Sequence, residues 1–214
     1  MKPIIGIIMR NGKSESNRDI KYIYDDIINA VTKSGGSAIG ITNYNFLDYI
    51  KICDGFILQG GSDIDFDDLF IISYLYKNDI PLFGICLGMQ EMGYNFGDEI
   101  VNIDNHKNNE LHEIVIIKNS LLYKILDCKK TLVNSRHKSV IRGNNLTVSA
   151  RSYDNVIEAI EDKGKRFFLG LQWHPENMYN EDLNSRKIFD YFIKVCNDTK
   201  EEWSIWELVY LIQG

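Results

Sequence analysis

The sequence predicts an α/β fold, a parallel, doubly wound sheet with helices on its faces. Three observations carry that reading. Short runs of contiguous apolar, β-branched residues recur through the first hundred positions, helix-period segments fall between them, and glycines mark several junctions. Strands buried on both faces read as unbroken apolar runs, and their alternation with helices implies parallel crossovers.

"KPIIGIIM" (Lys2–Met9) is the first such run and stops at polar "RNGKSESN". Ile20, Ile23, Ile27 and Val31 then recur at helical spacing; Ser16 and Asp19 resemble a capping box before them, and Gly35-Gly36 end the helix. "SAIGIT" (Ser37–Thr42) and "DGFILQGG" (Asp54–Gly61) are the second and third strands, "DDLFIISYLYKND" (Asp67–Asp79) a helix, and "PLFGI" (Pro81–Ile85) the fourth strand. Beyond Gly97 the pattern changes. His112–Lys118, Thr131–His137, Asn145–Ser152, Asn155–Glu161 and Arg166–His174 read mostly as strands with short polar connections. Leu183, Phe189, Phe192, Ile193 and Cys196 form the stripe of a closing helix. One domain is expected over residues 1–198. The aromatic tail after it, 199–214, reads as docking on the body or on a second subunit, which makes a homodimer one arrangement to test.

The chain has 214 residues, 44% hydrophobic and 25% charged, which suits one domain with a sizeable core. A formal charge of −6 argues against a nucleic-acid partner. The first apolar run is too short for a secretory signal, and no run approaches the ~18 residues of a membrane span. Cys53, Cys86, Cys128 and Cys196 form no CxxC pair. These features together predict a cytoplasmic protein with free thiols and no membrane association.

The stretch "PLFGICLGMQEMGYNFG" (Pro81–Gly97) places Cys86 between a strand end and a helix start, with Gly84 and Gly88 two residues to either side. A helix N-terminus favours thiolate, and the glycines allow a sharp turn and close approach of a substrate. The Leu87 amide would point at a developing oxyanion. A buried structural turn is the competing reading. A nucleophilic cysteine needs a base held by a third group. In "GLQWHPE", His174 ends a β-like run and Glu176 follows two residues later, on the same side of an extended chain. Such a carboxylate selects the tautomer and stabilises the imidazolium. A surface histidine beside a solvated glutamate is the alternative.

"GICLGMQ" and "LQWHPE" together resemble the class I glutamine amidotransferases, and "LQGGSDID" (Leu58–Asp65) with "VNSRHKSVI" (Val133–Ile141) narrows the likeness to γ-glutamyl hydrolases, especially the γ-glutamyl-γ-aminobutyrate hydrolase (peptidase C26) family. The likeness runs from about Ile4 to Cys196. It implies a flavodoxin-like class I glutamine amidotransferase fold: a central, mostly parallel sheet flanked by helices, with an additional small antiparallel sheet. It also implies a Cys86–His174–Glu176 triad, a small-molecule γ-glutamyl substrate, hydrolysis to glutamate through a γ-glutamyl thioester, and no metal or organic cofactor. The oxyanion donors expected are the amides of Leu87 and of Gly60 or Gly61. Gln90 matches a family position near the substrate, and the loop of Asn134, Ser135, Arg136, His137 and Lys138 is expected at the mouth of the site.

Two features depart from the family's pattern. No proline stands near Phe66, and Arg136 and Lys138 flank His137 with Arg142 close behind. Cations at the mouth of an acidic protein's site suit a leaving group bearing phosphate or carboxylate, such as a nucleotide-linked phosphoramidate or a polyglutamyl tail; the alternative is that they point into water. A second functional reading is a glutaminase subunit supplying ammonia to a separate synthetase. "DIDFDD" lacks the pattern of a calcium loop and reads as loop and helix cap. His106 and His112 read as loop and strand residues, and Cys53, Cys128 and Cys196 as packing residues.

Overall fold

A computed structural model describes residues 1–103 and 110–213, with the side chains of 200–213 outside that description. In chain order the strands are β1 (Ile4–Ile8), β2 (Arg10–Lys13), β3 (Asp19–Tyr22), β4 (Ser37–Ile41), β5 (Gly55–Leu58), β6 (Leu82–Ile85), β7 (Glu99–Asn102), β8 (Glu110–Ile116), β9 (Lys130–Ser135), β10 (Ser139–Arg142), β11 (Thr147–Ser152), β12 (Ile157–Glu161) and β13 (Phe168–Leu171). The helices are α1 (Asp25–Lys33), α2 (Phe46–Tyr49), α3 (Phe66–Lys77), α4 (Leu87–Asn95), α5 (Leu121–Leu126), α6 (Pro175–Met178) and α7 (Leu183–Gln213).

Among the described residues one sheet dominates, nine strands in the order β4-β1-β5-β6-β13-β12-β11-β8-β9. The pairs from β4 to β13 are parallel and those from β13 to β9 antiparallel. The late strands thus extend the main sheet, while the small antiparallel sheets are the two-stranded pairs β7–β10 and β2–β3. Successive side chains of a central strand enter opposite layers. Phe83 and Ile85 face a core with α1 and α7 residues such as Ile27 and Phe189; Leu82 faces another with Ile72 of α3 and Met89 of α4. Both faces are covered, which is why these strands read as unbroken apolar runs.

Three differences from the sequence reading have local causes. The helix expected from Ile20 begins at Asp25, because Arg10–Tyr22 folds into the β2–β3 hairpin and Asn17 turns its tip at φ +59°. Ile20 therefore lies on a strand and is 40% exposed, whereas Ile27 and Val31 are buried on α1. The short helix α5 escaped the strand pattern read there, although Ser120 accepts from the Tyr123 amide at 2.9 Å and Leu122, Ile125 and Leu126 share its buried face. Finally, the closing helix does not stop before the tail: α7 runs unbroken to Gln213, with no glycine or proline inside it. The docking of the tail's aromatic side chains and the placement of His106 lie outside the described residues.

Candidate active site

Cys86 sits between β6 and α4 at φ +52°, ψ −103°, a strained strand-to-helix elbow. The cysteine takes the positive φ, not the glycines beside it. A Cβ on Gly88 would stand 2.2 Å from the Leu58 carbonyl oxygen, and one on Gly84 would stand 2.9 Å from Gly88 backbone atoms. The glycines thus let α4 lie directly on β5 and β6, a packing role where the sequence suggested turn geometry. The Cys86 amide donates to the Leu171 carbonyl at 2.7 Å, tying the elbow to β13.

His174 follows β13 and lies just before α6, and Glu176 is in that helix's first turn. The two side chains meet as expected, but through a bend into a helix rather than along an extended chain. His174 Nδ1 is 2.6 Å from Glu176 Oε1, and both residues are buried. Burial works against a charged His174, yet the Glu176 carboxylate, a hydrogen bond with Cys86 and the charge on that sulfur lift its pKa from 6.5 to about 10. With Nδ1 on Glu176, Nε2 is the nitrogen left for Cys86. A Cβ on Gly60 would fall 2.8 Å from His174 Cε1 and 3.6 Å from Cys86 Cβ, so the glycine loop closes over both groups. Gly60 is buried, while Gly61, Ser62 and Asp63 are exposed.

Asn134 lies on β9 next to this centre. Its Nδ2 donates to the His174 carbonyl at 2.9 Å and its Oδ1 accepts the His174 amide at 2.8 Å, so its amide grips the histidine backbone instead of facing outward. Ser135 is buried at the end of β9. His137 is buried too, with Nδ1 donating to the Ser139 carbonyl at 3.2 Å and Nε2 3.9 Å from Glu158 Oε1. Arg136 and Lys138 are exposed on either side of it. Arg136 donates from Nη2 to Asn177 Oδ1, one residue past Glu176. It also acts electrostatically on the Tyr24 phenol, as does Cys86, so both lie within electrostatic reach of that ring. Gln90 is buried on α4, with Nε2 2.7 Å from the Ser139 carbonyl and 3.2 Å from Gln172 Oε1. Gln172 in turn points Nε2 at Cys86 Sγ across 3.7 Å.

Behind the glycine loop lies a buried charged cluster that sequence reasoning missed. Arg10 Nη1 is 2.5 Å from Asp68 Oδ2, its Nη2 is 2.8 Å from Glu91 Oε2, and its Nε and Nη2 donate to the Gln59 carbonyl at 3.1 and 2.6 Å. Glu91 Oε1 also accepts the Asp65 amide at 3.1 Å. The cluster therefore holds the loop at Gln59 and at Asp65, and fastens it to α4. Burial pushes Asp68 up to about 7, helped by Glu91 and opposed by Arg10, and pushes Glu91 upward as well. Asp65 caps α3 by accepting from the Asp67 amide, while Asp63 and Asp67 are exposed. A cavity of about 340 Å³ opens beside Gly61, lined in part by Tyr22, Ser62, Asp63 and Asp67. Among the described residues no group of three or more His, Cys, Asp and Glu side chains is arranged to hold a metal ion.

A cysteine elbow at the end of a parallel strand, faced by a histidine–glutamate pair from the neighbouring strand, defines a class I glutamine amidotransferase fold. The solved structure of a putative GMP synthase subunit from Thermoplasma acidophilum shares that fold with a TM-score of 0.75 at 20% identity, covering 95% of this chain and 98% of that one. Residues 65–176 match the family model described as Peptidase C26, and the chain belongs to that family. Protein NtpR of Enterococcus hirae is 28% identical over 91% of this chain and 99% of its own length. The γ-glutamyl-γ-aminobutyrate hydrolase PuuD of Escherichia coli is 26% identical over 91% of this chain and 93% of its own.

Proposed function

We propose that this chain is a cysteine-dependent hydrolase that cleaves the γ-glutamyl amide bond of a small γ-glutamyl compound and releases glutamate. The observation that carries the reading is the convergence of Cys86, at its strained turn, with the buried His174–Glu176 pair. Membership of the Peptidase C26 family, and the name of the PuuD relative, support the γ-glutamyl amide as substrate.

Cys86 gives its proton to His174 Nε2, and the resulting thiolate attacks the γ-carbonyl carbon. The carbonyl oxygen takes the negative charge and is met by the amides of Leu87 and of Gly60 or Gly61. As the tetrahedral centre collapses to a thioester, the imidazolium returns its proton to the leaving nitrogen. His174 then takes a proton from water, whose oxygen attacks the thioester; glutamate leaves and the thiol is restored. Glu176 stabilises the imidazolium in both halves.

The leaving group on this reading carries phosphate or carboxylate. Arg136 supports it, being exposed, bonded to Asn177 next to Glu176, and, like Cys86, within electrostatic reach of Tyr24. The cavity beside Gly61 is walled by Asp63 and Asp67 and suits an anion poorly, so the leaving group extends past Arg136. Mass spectrometry of protein quenched with a γ-glutamyl amide should find a glutamyl adduct on Cys86, and Cys86→Ser should be inactive; turnover by Cys86→Ser rejects the reading. Arg136→Ala should raise KM for anionic γ-glutamyl amides about tenfold and leave neutral ones within about twofold. Equal effects on both would reject the anionic leaving group. Glutamine turnover that appears only with an added synthetase would make the chain an ammonia-supplying subunit instead.

A further inference from the structure

Gln172 is fully buried just past the end of β13, and its side-chain nitrogen is the group aimed at Cys86 Sγ. An amide turned by 180° would offer its oxygen instead, so the chemistry depends on what fixes its orientation. Ser139, the first residue of β10, presents a backbone carbonyl, which can only accept. Gln90 must therefore turn its Nε2 toward that carbonyl, 2.7 Å away. The second hydrogen on the same nitrogen goes to Gln172 Oε1 at 3.2 Å. Gln172 thus accepts at its oxygen and is left with its NH2 against the sulfur. Gln90 Nε2 thus donates both ways, back to the carbonyl on β10 and forward to Gln172, and Gln172 donates on to the sulfur.

We propose that Gln172 is a catalytic residue that donates a hydrogen bond to Cys86 Sγ and stabilises its thiolate, oriented for this by Gln90 and the Ser139 carbonyl. The inference rests on the reading of Cys86 as the nucleophile. A thiolate accepts a hydrogen bond better than a thiol or a thioester sulfur does. The bond is strongest before attack and weakens as charge passes to the carbonyl oxygen. No covalent step involves Gln172: the thiol proton still goes to His174, and the amide only favours the ionised sulfur. A neutral donor at this distance raises the thiolate fraction by a smaller pKa shift than a second full charge would, and so costs less of the nucleophilicity that falls with thiol pKa. Because both hydrogens of Gln90 Nε2 are used, any contact of Gln90 with substrate falls to its oxygen, which takes donors only.

Among the described residues the titratable groups in electrostatic contact with the sulfur are His174, with Glu176 behind it, and Tyr24 before α1; all are retained in the variants below. The readout is the pH profile of Cys86 alkylation by iodoacetamide, with Cys86→Ser as the blank for other thiols. Gln172→Met should move the midpoint up by about one pH unit and lower kcat/KM at neutral pH about tenfold, with KM within about twofold. Gln172→Glu, which replaces the donor with a carboxylate, should move the midpoint further. A folded Gln172→Met that alkylates with the wild-type midpoint overturns the proposal. Should neither variant fold, the unmodified protein decides: the Gln172 side-chain NH2 resonances should titrate with the alkylation midpoint and lose that titration in Cys86→Ala. Resonances indifferent to the sulfur's ionisation overturn the proposal equally. Failure of the nucleophile reading looks different, since Cys86→Ser would then keep turning over substrate.

Discussion

Replacing Glu176 with Gln removes the carboxylate 2.6 Å from His174 Nδ1 while leaving an oxygen of similar size in its place. In the intact protein that carboxylate, with the sulfur, lifts His174 from 6.5 to about 10 against the opposing effect of burial. At 1.36 kcal/mol per pH unit the lift corresponds to roughly 5 kcal/mol favouring the imidazolium. Because the folded pKa is the higher one, this stabilisation is complete below pH 6.5 and is lost as pH rises through about 10. Without the carboxylate, burial is opposed by the sulfur alone, and His174 should titrate about two pH units lower. The alkaline limb of kcat/KM should move by the same amount, since the leaving nitrogen needs the imidazolium proton. Activity at pH 7 should fall ~10²–10⁴-fold, the range of a lost acid–base catalyst or its orienting carboxylate. The assays are kcat/KM against pH on a γ-glutamyl amide and NMR titration of the His174 ring. A Glu176→Gln protein whose limb and ring titration both stay in place would refute the reasoning.

Two further substitutions test the scaffold. Gly88→Ala puts a methyl group 2.2 Å from the Leu58 carbonyl, so α4 must move off β5; urea unfolding should show a loss of about 2–4 kcal/mol, and a loss below about 0.5 would mean the contact is slack. Asp68→Asn tests the buried cluster through pH. The folded pKa of Asp68 is raised from 3.8 to about 7, so its contribution to wild-type stability declines as pH climbs between those values. The variant lacks the Asp68 titration, and its urea midpoint should gain on wild type between about pH 4 and pH 7; a constant gap would show that Asp68 stays ionised.

The central strands were legible because two covered faces leave an unbroken apolar run, and the elbow because a cysteine between glycines at a strand end has few uses. The His174–Glu176 pairing was also legible, though the backbone joining them bends where an extended chain was assumed. The β2–β3 hairpin was not: Ile20 and Ile23 matched a helical period that continues truly into α1, and the turn at Asn17 carries no glycine to announce it. Arg10 and Glu91 stand 81 positions apart and meet only through the fold. An arginine just past the first strand and a glutamate on an apolar helix were the available signals, each ordinary by itself. Gln172 lay within a motif read for its histidine, and Asn134 within one read for substrate; their jobs depend on which atoms face which neighbours.

Cys86 and His174 follow adjacent strands in the middle of the nine-stranded sheet, β6 and β13, whose register runs from Leu82↔Phe168 to Ile85↔Leu171. Parting those two strands would open the centre of the sheet, because the Cys86 amide is itself bonded to the Leu171 carbonyl. Heat should therefore abolish turnover and melt the protein together, and amide exchange at Cys86 should report the opening of the whole chain rather than of a lid.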